Sequence, residues 1–171
     1  MQRLDDITAP IQQELLDFEI HFQDAMHADV ALLDKVTSYI VKRKGKQLRP
    51  MFVFLSAKML GDINPITFDA TTLVELLHTA TLVHDDVVDG SDLRRGRKTA
   101  NIIWGNSASV LVGDFLFSRA FQVMTDDGSL DVLRLLSGTS AVLAEGEVLQ
   151  LITTNDVDTG EDSYLQVISA K

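Results

Sequence analysis

Residues 84–89 read His84-Asp85-Asp86-Val87-Val88-Asp89. On a helix, Asp85 and Asp89 share a face one turn apart, while Asp86 turns about 100° away. Carboxylates this close repel one another and raise their own pKa values unless a cation sits between them. A dense oxygen-only set favours a hard ion, and Mg²⁺ takes one or two carboxylates and completes its shell with water and substrate phosphates. The competing reading is an acidic helix end paired with arginines of the next loop. Acidic groups at a helix C-terminus oppose the helix dipole, so this placement calls for compensation.

The cations needed for that chemistry follow at once. Arg94 and Arg95 can each grip phosphate oxygens in a bidentate manner. Upstream, the run GKQLRP places Lys46 and Arg49 near a helix start, with Gly45 allowing close backbone approach. It is not a P-loop, because the Gly-x-x-x-x-Gly-Lys-Ser/Thr pattern is missing. The chain of 171 residues carries 15 basic and 25 acidic side chains, a net charge of −10. Its basic residues nevertheless concentrate in two short windows, Lys42, Arg43, Lys44, Lys46 and Arg49, then Arg94, Arg95, Arg97 and Lys98. That distribution points to a localised anionic ligand and away from nucleic acid, which calls for a broad basic face. The bland alternative is that both runs are solvated loops.

Together these residues describe metal-assisted handling of a diphosphate beside an apolar enclosure. Mg²⁺ and arginines neutralise charge developing on a leaving diphosphate, and apolar walls keep water from a reactive cation.

The elements that must position these groups read as helices throughout, with no sustained alternation arguing strands. Leu73, Leu76, Leu77, Ala80, Val83 and Val87 recur at the spacing of one helix face. Stepping back along the Asp85 face gives Thr81, His78 and Val74, so polar groups give way to small and apolar ones. His78 can serve as a phosphate donor, although a lone histidine on such a helix is more often a satisfied core residue. Pro50 and Gly61 bracket one helix, and Asp62-Ile63-Asn64-Pro65 reads as the connection to the next. Thr67 is the expected N-cap of the long helix, and Gly90-Ser91 its end. After a polar loop through Gly105, a helix capped by Asn106 or Ser107 is expected to run to about Thr125. Asp127-Gly128-Ser129 then turns the chain into another, to about Ile152. Thr159 with Asp162 resembles a capping box for a last helix.

Several classes are excluded or disfavoured. The absence of cysteine rules out disulfides, thiolate zinc sites and cysteine nucleophiles. The most apolar windows, Met51–Leu60 and Val110–Phe121, are broken by Lys58, Asp114 and Arg119, so no integral membrane segment is expected. The opening MQRLDDITAPIQQELL lacks a positive-then-apolar leader, which predicts a cytoplasmic protein. The closing YLQVISAK carries no helix stop signal, which predicts a segment cut from a longer chain.

GKQLRP, then ELLHTATLVHDDVVDGSDLRRG, SASVLVGDFLFSRAFQ and AEGEVLQL, closely resemble the trans-prenyltransferase (polyprenyl diphosphate synthase) family, and most closely its bacterial octaprenyl-forming members. The resemblance spans the whole sequence. It implies an all-α isoprenoid synthase helical bundle, of which residues 1–171 are the N-terminal portion. It also implies Mg²⁺-dependent 1′-4 condensation of isopentenyl diphosphate with a farnesyl-type allylic diphosphate, supplying quinone side chains, in a homodimer. By resemblance Asp85 and Asp89, with Asp86 nearby, hold Mg²⁺ on the allylic diphosphate, and Arg94 contacts the same group. Lys46, Arg49, His78 and Arg95 match positions that bind isopentenyl diphosphate. Lys171 matches the lysine of a Lys-Thr pair that helps hold the allylic diphosphate. Two departures stand out: Gln47 replaces the usual arginine of Gly-Lys-Arg, and the second aspartate-rich motif is absent. The segment alone is therefore expected to be inactive.

Thr81 and Ala80, four and five positions before Asp85, are small, so the resemblance implies room for a long tail, with Met124 or Phe121 as a deeper floor. Other readings compete. A metal-dependent phosphohydrolase would use the His84-Asp85 doublet but needs further histidines in suitable places. A non-catalytic subunit of a heteromeric synthase would not need so much concentrated charge. A terpene cyclase fits GKQLRP less well than condensation does.

Overall fold

The computed structural model describes residues 4–42, 45–127 and 129–171. Arg43 and Lys44 of the first basic window, Gly128 of the expected turn, and the first three residues of the leading segment lie outside the described residues. The chain divides into two units, Met1–Asp127 and Gly128–Lys171.

In the first unit, α1 (Leu4–Thr8), a 3-10 turn (Ala9–Ile11) and α2 (Gln12–Ala25) lead to α3 (Ala31–Val41), α4 (Leu48–Leu60) and α5 (Pro65–Val88). A two-stranded hairpin follows, β1 (Leu93–Arg94) with β2 (Arg97–Lys98), then α6 (Ala100–Trp104) and α7 (Asn106–Asp127). The expected helical class holds. The hairpin and α6, within the expected polar loop, are additions, and both are too short to show a period in sequence.

The long helix α5 starts earlier than expected. Its N-cap is Asn64, whose Oδ1 accepts the Thr67 backbone N–H at 3.2 Å while the Thr67 hydroxyl accepts the Asn64 N–H at 3.3 Å. Thr67 is thus the N3 partner in a capping box and not the cap itself. Pro65 explains the difference, since its fixed φ suits the first helical position. Of the apolar stripe, Leu73, Leu76, Ala80 and Val83 are buried, while Leu77 and Val87 are half-buried. Helix α7 answers with Val112, Leu116, Ala120 and Met124 at helical spacing, all buried, and α5 on α7 is the most extensive packing in the unit. Each fully buried Leu contributes about 1.5–3 kcal/mol over exposure. On the other side of α5, Phe18 and Phe22 of α2 stack at 5.5 Å, and Phe54 of α4 meets Phe68 edge-on at 5.0 Å.

Helix α6 braces the end of α5. Asn101 Nδ2 donates to the backbone carbonyls of Asp86 at 3.3 Å and Ser91 at 3.4 Å, and the Thr99 hydroxyl donates to Ser91 at 2.7 Å. The hairpin pairs Leu93 with Lys98 and Arg94 with Arg97, and its turn residues Arg95 and Gly96 both have positive φ, 52° and 74°. That is the type I′ geometry favoured by two-residue hairpin loops.

In the second unit, α8 (Leu130–Thr153) is capped by Ser129, whose hydroxyl accepts the Val132 N–H at 3.4 Å, and α9 (Glu161–Ala170) packs on it. The expected Thr159 box does not form: Gly160 is the N-cap, and the Thr159 hydroxyl donates back to the Thr153 carbonyl at 3.4 Å. A Cβ at Gly146 would lie 2.6 Å from Ala170 Cβ, so this glycine lets α9 come close. Among the described residues α8 is long and apolar enough, by length and composition alone, to cross a membrane, and neither window singled out in the sequence includes it. It carries Arg134, Glu145 and Glu147 along its length, charges that suit packing within a protein better than a lipid environment.

Candidate functional site

A cavity of about 650 Å³ opens between α2, α3, the start of α4, the second half of α5 and the hairpin. Lys46, Arg49, His78 and Arg95, together with Arg94, line it. These groups come from three separate segments, the GKQLRP run, α5 and the hairpin, and folding brings the three to one place. On α5 the wall is Glu75, Thr79, Leu82, Val83 and Asp86, and of the Asp85 face only His78 joins it.

Close packing sets the cations. Arg95 sits on a left-handed turn position, and its guanidinium lies directly against Gly45, where a Cβ would come within 2.2 Å of Nη1. The glycine of the GKQLRP run therefore admits the side chain of the second basic segment. Gln47, itself left-handed at φ 49°, ends the loop before α4, and its Nε2 donates to Glu19 Oε1 of α2 at 3.3 Å. Gln47, the departure noted in the resemblance, is thus tied to the cavity wall.

Asp86 is buried and accepts from Arg94 Nε at 2.7 Å. The pairing read as the bland alternative is therefore real for Asp86. Buried charge of this kind is tolerated only when paired and hydrogen-bonded. Asp85 is half-buried and Asp89 exposed, one turn apart at the end of α5. Among the described residues no group of three or more His, Asp or Glu side chains gathers as a metal site. The Asp85 and Asp89 pair fits Mg²⁺ as a partial set, since that ion needs only one or two carboxylates when phosphates supply the rest.

Burial and the cavity's guanidiniums together shift two of its titratable groups. Burial lowers His78 to about 4, and the Arg49, Arg95 and Arg94 guanidiniums push the same way, so its imidazole is neutral at neutral pH. Burial raises Glu75 above the usual carboxylate value, against the pull of Arg49 and Arg95. Sequence reasoning missed Glu75; its place one turn before His78 was the available signal. It missed Glu19 as well, which no local pattern marks.

The other expected site residues fall elsewhere. Ala80 and Met124 are buried in the α5 and α7 packing, Thr81 is half-buried with its hydroxyl donating to the His78 carbonyl at 2.9 Å, and Phe121 is exposed. None of these lines the cavity. In the second unit, Lys171 Nζ meets Glu147 Oε1 at 2.7 Å and Gln150 Oε1 at 2.6 Å.

The polyprenyl synthetase family pattern matches residues 30–171. Octaprenyl diphosphate synthase of Escherichia coli K12 is 45% identical over 171 residues, 100% of this chain and 52% of that protein. The crystal structure of a decaprenyl diphosphate synthase from Rhodobacter capsulatus superposes with a TM-score of 0.92 at 43% identity, over 99% of this chain and 52% of that one. A polyprenyl synthase from Caulobacter crescentus, solved with calcium and isoprenyl diphosphate, gives a TM-score of 0.92 at 41% identity, over 99% and 52% of the two chains. The chain spans about half the length of these relatives. A predominantly helical structure, a cation-lined cavity built from the two basic segments, and this likeness in sequence and fold place the chain in the polyprenyl synthetase family.

Proposed function

We propose that this chain carries the isopentenyl diphosphate site and half of the metal site of a long-chain trans-polyprenyl diphosphate synthase. The convergence of Lys46, Arg49, His78 and Arg95 on one cavity supports the reading most directly. The diphosphate of isopentenyl diphosphate is held there by Lys46, Arg49 and Arg95. Neutral His78 donates a hydrogen bond without adding to the repulsion among the cations. Asp85 and Asp89 are the carboxylates that would hold Mg²⁺, which when bound neutralises the allylic diphosphate as it leaves. Asp86 keeps Arg94 oriented at the boundary between the two groups. Condensation joins C4 of isopentenyl diphosphate to C1 of the allylic partner, releases diphosphate and sheds one proton from C2.

On this reading the partners are isopentenyl diphosphate and a farnesyl-type allylic diphosphate. The product is long, of the octaprenyl kind made by the Escherichia coli relative, and serves as a quinone side chain. The working protein is a cytoplasmic homodimer, and the 171 residues alone are inactive because one acidic motif supplies only part of the metal's ligands. The test is incorporation of labelled isopentenyl diphosphate into chain-extended product by the full-length protein with Mg²⁺ and farnesyl diphosphate, with product length read by chromatography. Phosphate release without chain extension would overturn the synthase reading, and turnover by the 171 residues alone would overturn the inactivity.

A further inference from the structure

Glycine in the middle of a helix costs stability and calls for a reason. Gly113 lies inside α7, and a Cβ there would fall 2.1 Å from His84 Nε2 and 2.4 Å from Cδ2. The imidazole of α5 is therefore seated directly on the α7 backbone. Its Nε2 lies 3.1 Å from the Val110 carbonyl oxygen, a distance that calls for the N–H to sit on that nitrogen, and 3.5 Å from Asp114 Oδ1. Phe117, one turn further along α7, stacks on the ring at 6.1 Å between centroids and 13° between planes. Three consecutive turns of α7 thus grip one side chain, and that side chain immediately precedes Asp85.

Position along a helix sets direction. A rotation of the last turn of α5 that carried Asp86 away from Arg94 would also swing Asp85 and Asp89. The Asp86–Arg94 pair braces this turn on the cavity side, and the His84 seat braces it on the α7 side.

We propose that His84 is a positioning residue, held by Gly113 and Val110, that fixes the direction of Asp85 and Asp89. It touches neither the proposed metal nor substrate. The inference rests on the synthase reading for what the two carboxylates do, while the seat itself is geometric.

The test is a double-mutant cycle of Gly113→Ala and His84→Ala in the full-length protein, with two readouts. The first is the denaturation midpoint without metal or substrate. With His84 present, Gly113→Ala is expected to lower it or leave it unchanged, because the new methyl displaces the ring; with His84→Ala it is expected to raise it, as alanine normally does in a helix. The second is the Mg²⁺ concentration giving half-maximal activity. Gly113→Ala is expected to raise this about tenfold or more, the usual effect of losing a group that orients metal ligands, with the KM for isopentenyl diphosphate within about twofold. His84→Gln, which keeps an N–H donor, is expected to recover part of the loss that His84→Ala suffers. Additive midpoints would overturn the seat. Unchanged Mg²⁺ dependence, or an equal rise in Mg²⁺ requirement and in KM for isopentenyl diphosphate, would overturn the positioning role. A wild-type protein that does not extend prenyl chains would instead overturn the synthase reading, whatever the midpoints show.

Discussion

Gly45 shows how much a single residue can carry when two segments meet at it. The Arg95 guanidinium occupies the space a Cβ would need, but it is the movable end of a long side chain. Gly45→Ala should therefore cost little stability, within about 0.5 kcal/mol as for most exposed positions. It should displace Arg95 and raise the KM for isopentenyl diphosphate about tenfold, read by steady-state kinetics beside a denaturation curve. An unchanged KM would show that Arg95 does not need this position. His78 gives a pH signature. Its folded pKa of about 4 lies below the ordinary 6.5, so the unfolded chain takes up a proton first as the pH falls. Wild-type stability should thus decline relative to His78→Asn from pH 6.5 down to 4, with no difference in slope above 6.5. Urea midpoints across that range test the sign, and parallel curves would refute the lowered value. Lys46, Arg49, His78 and Arg95 were legible as residues because each stands in a short recognisable run. Glu75, Glu19 and the hold of Gly113 on His84 were not, because each depends on which helix faces follow one another in space.

Among the elements, α5 carries the site, and its start is set by the Asn64 box with Pro65 at the first turn. Asn64→Ala removes the acceptor for the Thr67 N–H and should cost about 1 kcal/mol. Because the cap lies far from His78 and Asp85 along the helix, activity at a temperature where the protein remains folded should be preserved. Calorimetry with an activity assay checks both halves. The long helices α4, α5, α7 and α8 were legible from apolar period and punctuation, with boundaries within a few residues. The cap was misplaced because Asn64 and Thr67 are both good capping types, and only backbone geometry tells which is the cap and which its N3 partner. Helix α6 and the hairpin escaped because elements of five and two residues have no period to read. They are the parts that brace Asp86 and carry Arg94, so the least legible elements border the candidate site.

For the whole molecule, the apolar residues left at the surface matter most. Leu135, Val142, Val148, Leu151 and Ile152 of α8 are all exposed, as are Tyr164, Leu165 and Ile168 of α9. Contiguous exposed apolar surface of this extent marks a contact face. The 171-residue chain on its own should therefore self-associate in a concentration-dependent way, seen as a mass above 18.9 kDa by light scattering after gel filtration. A monodisperse monomer at high concentration would count against it. A different consequence follows from the hairpin turn. Asn-Gly is the preferred pair for a type I′ turn, whereas this chain places arginine at the first of its two left-handed positions. A non-glycine residue held left-handed costs on the order of 1–2 kcal/mol. Arg95→Asn would recover part of that energy and remove a cation from the cavity. On the proposed reading the turn thus trades hairpin stability for a cation in the cavity, and Arg95→Asn is expected to raise the denaturation midpoint while weakening the hold on diphosphate.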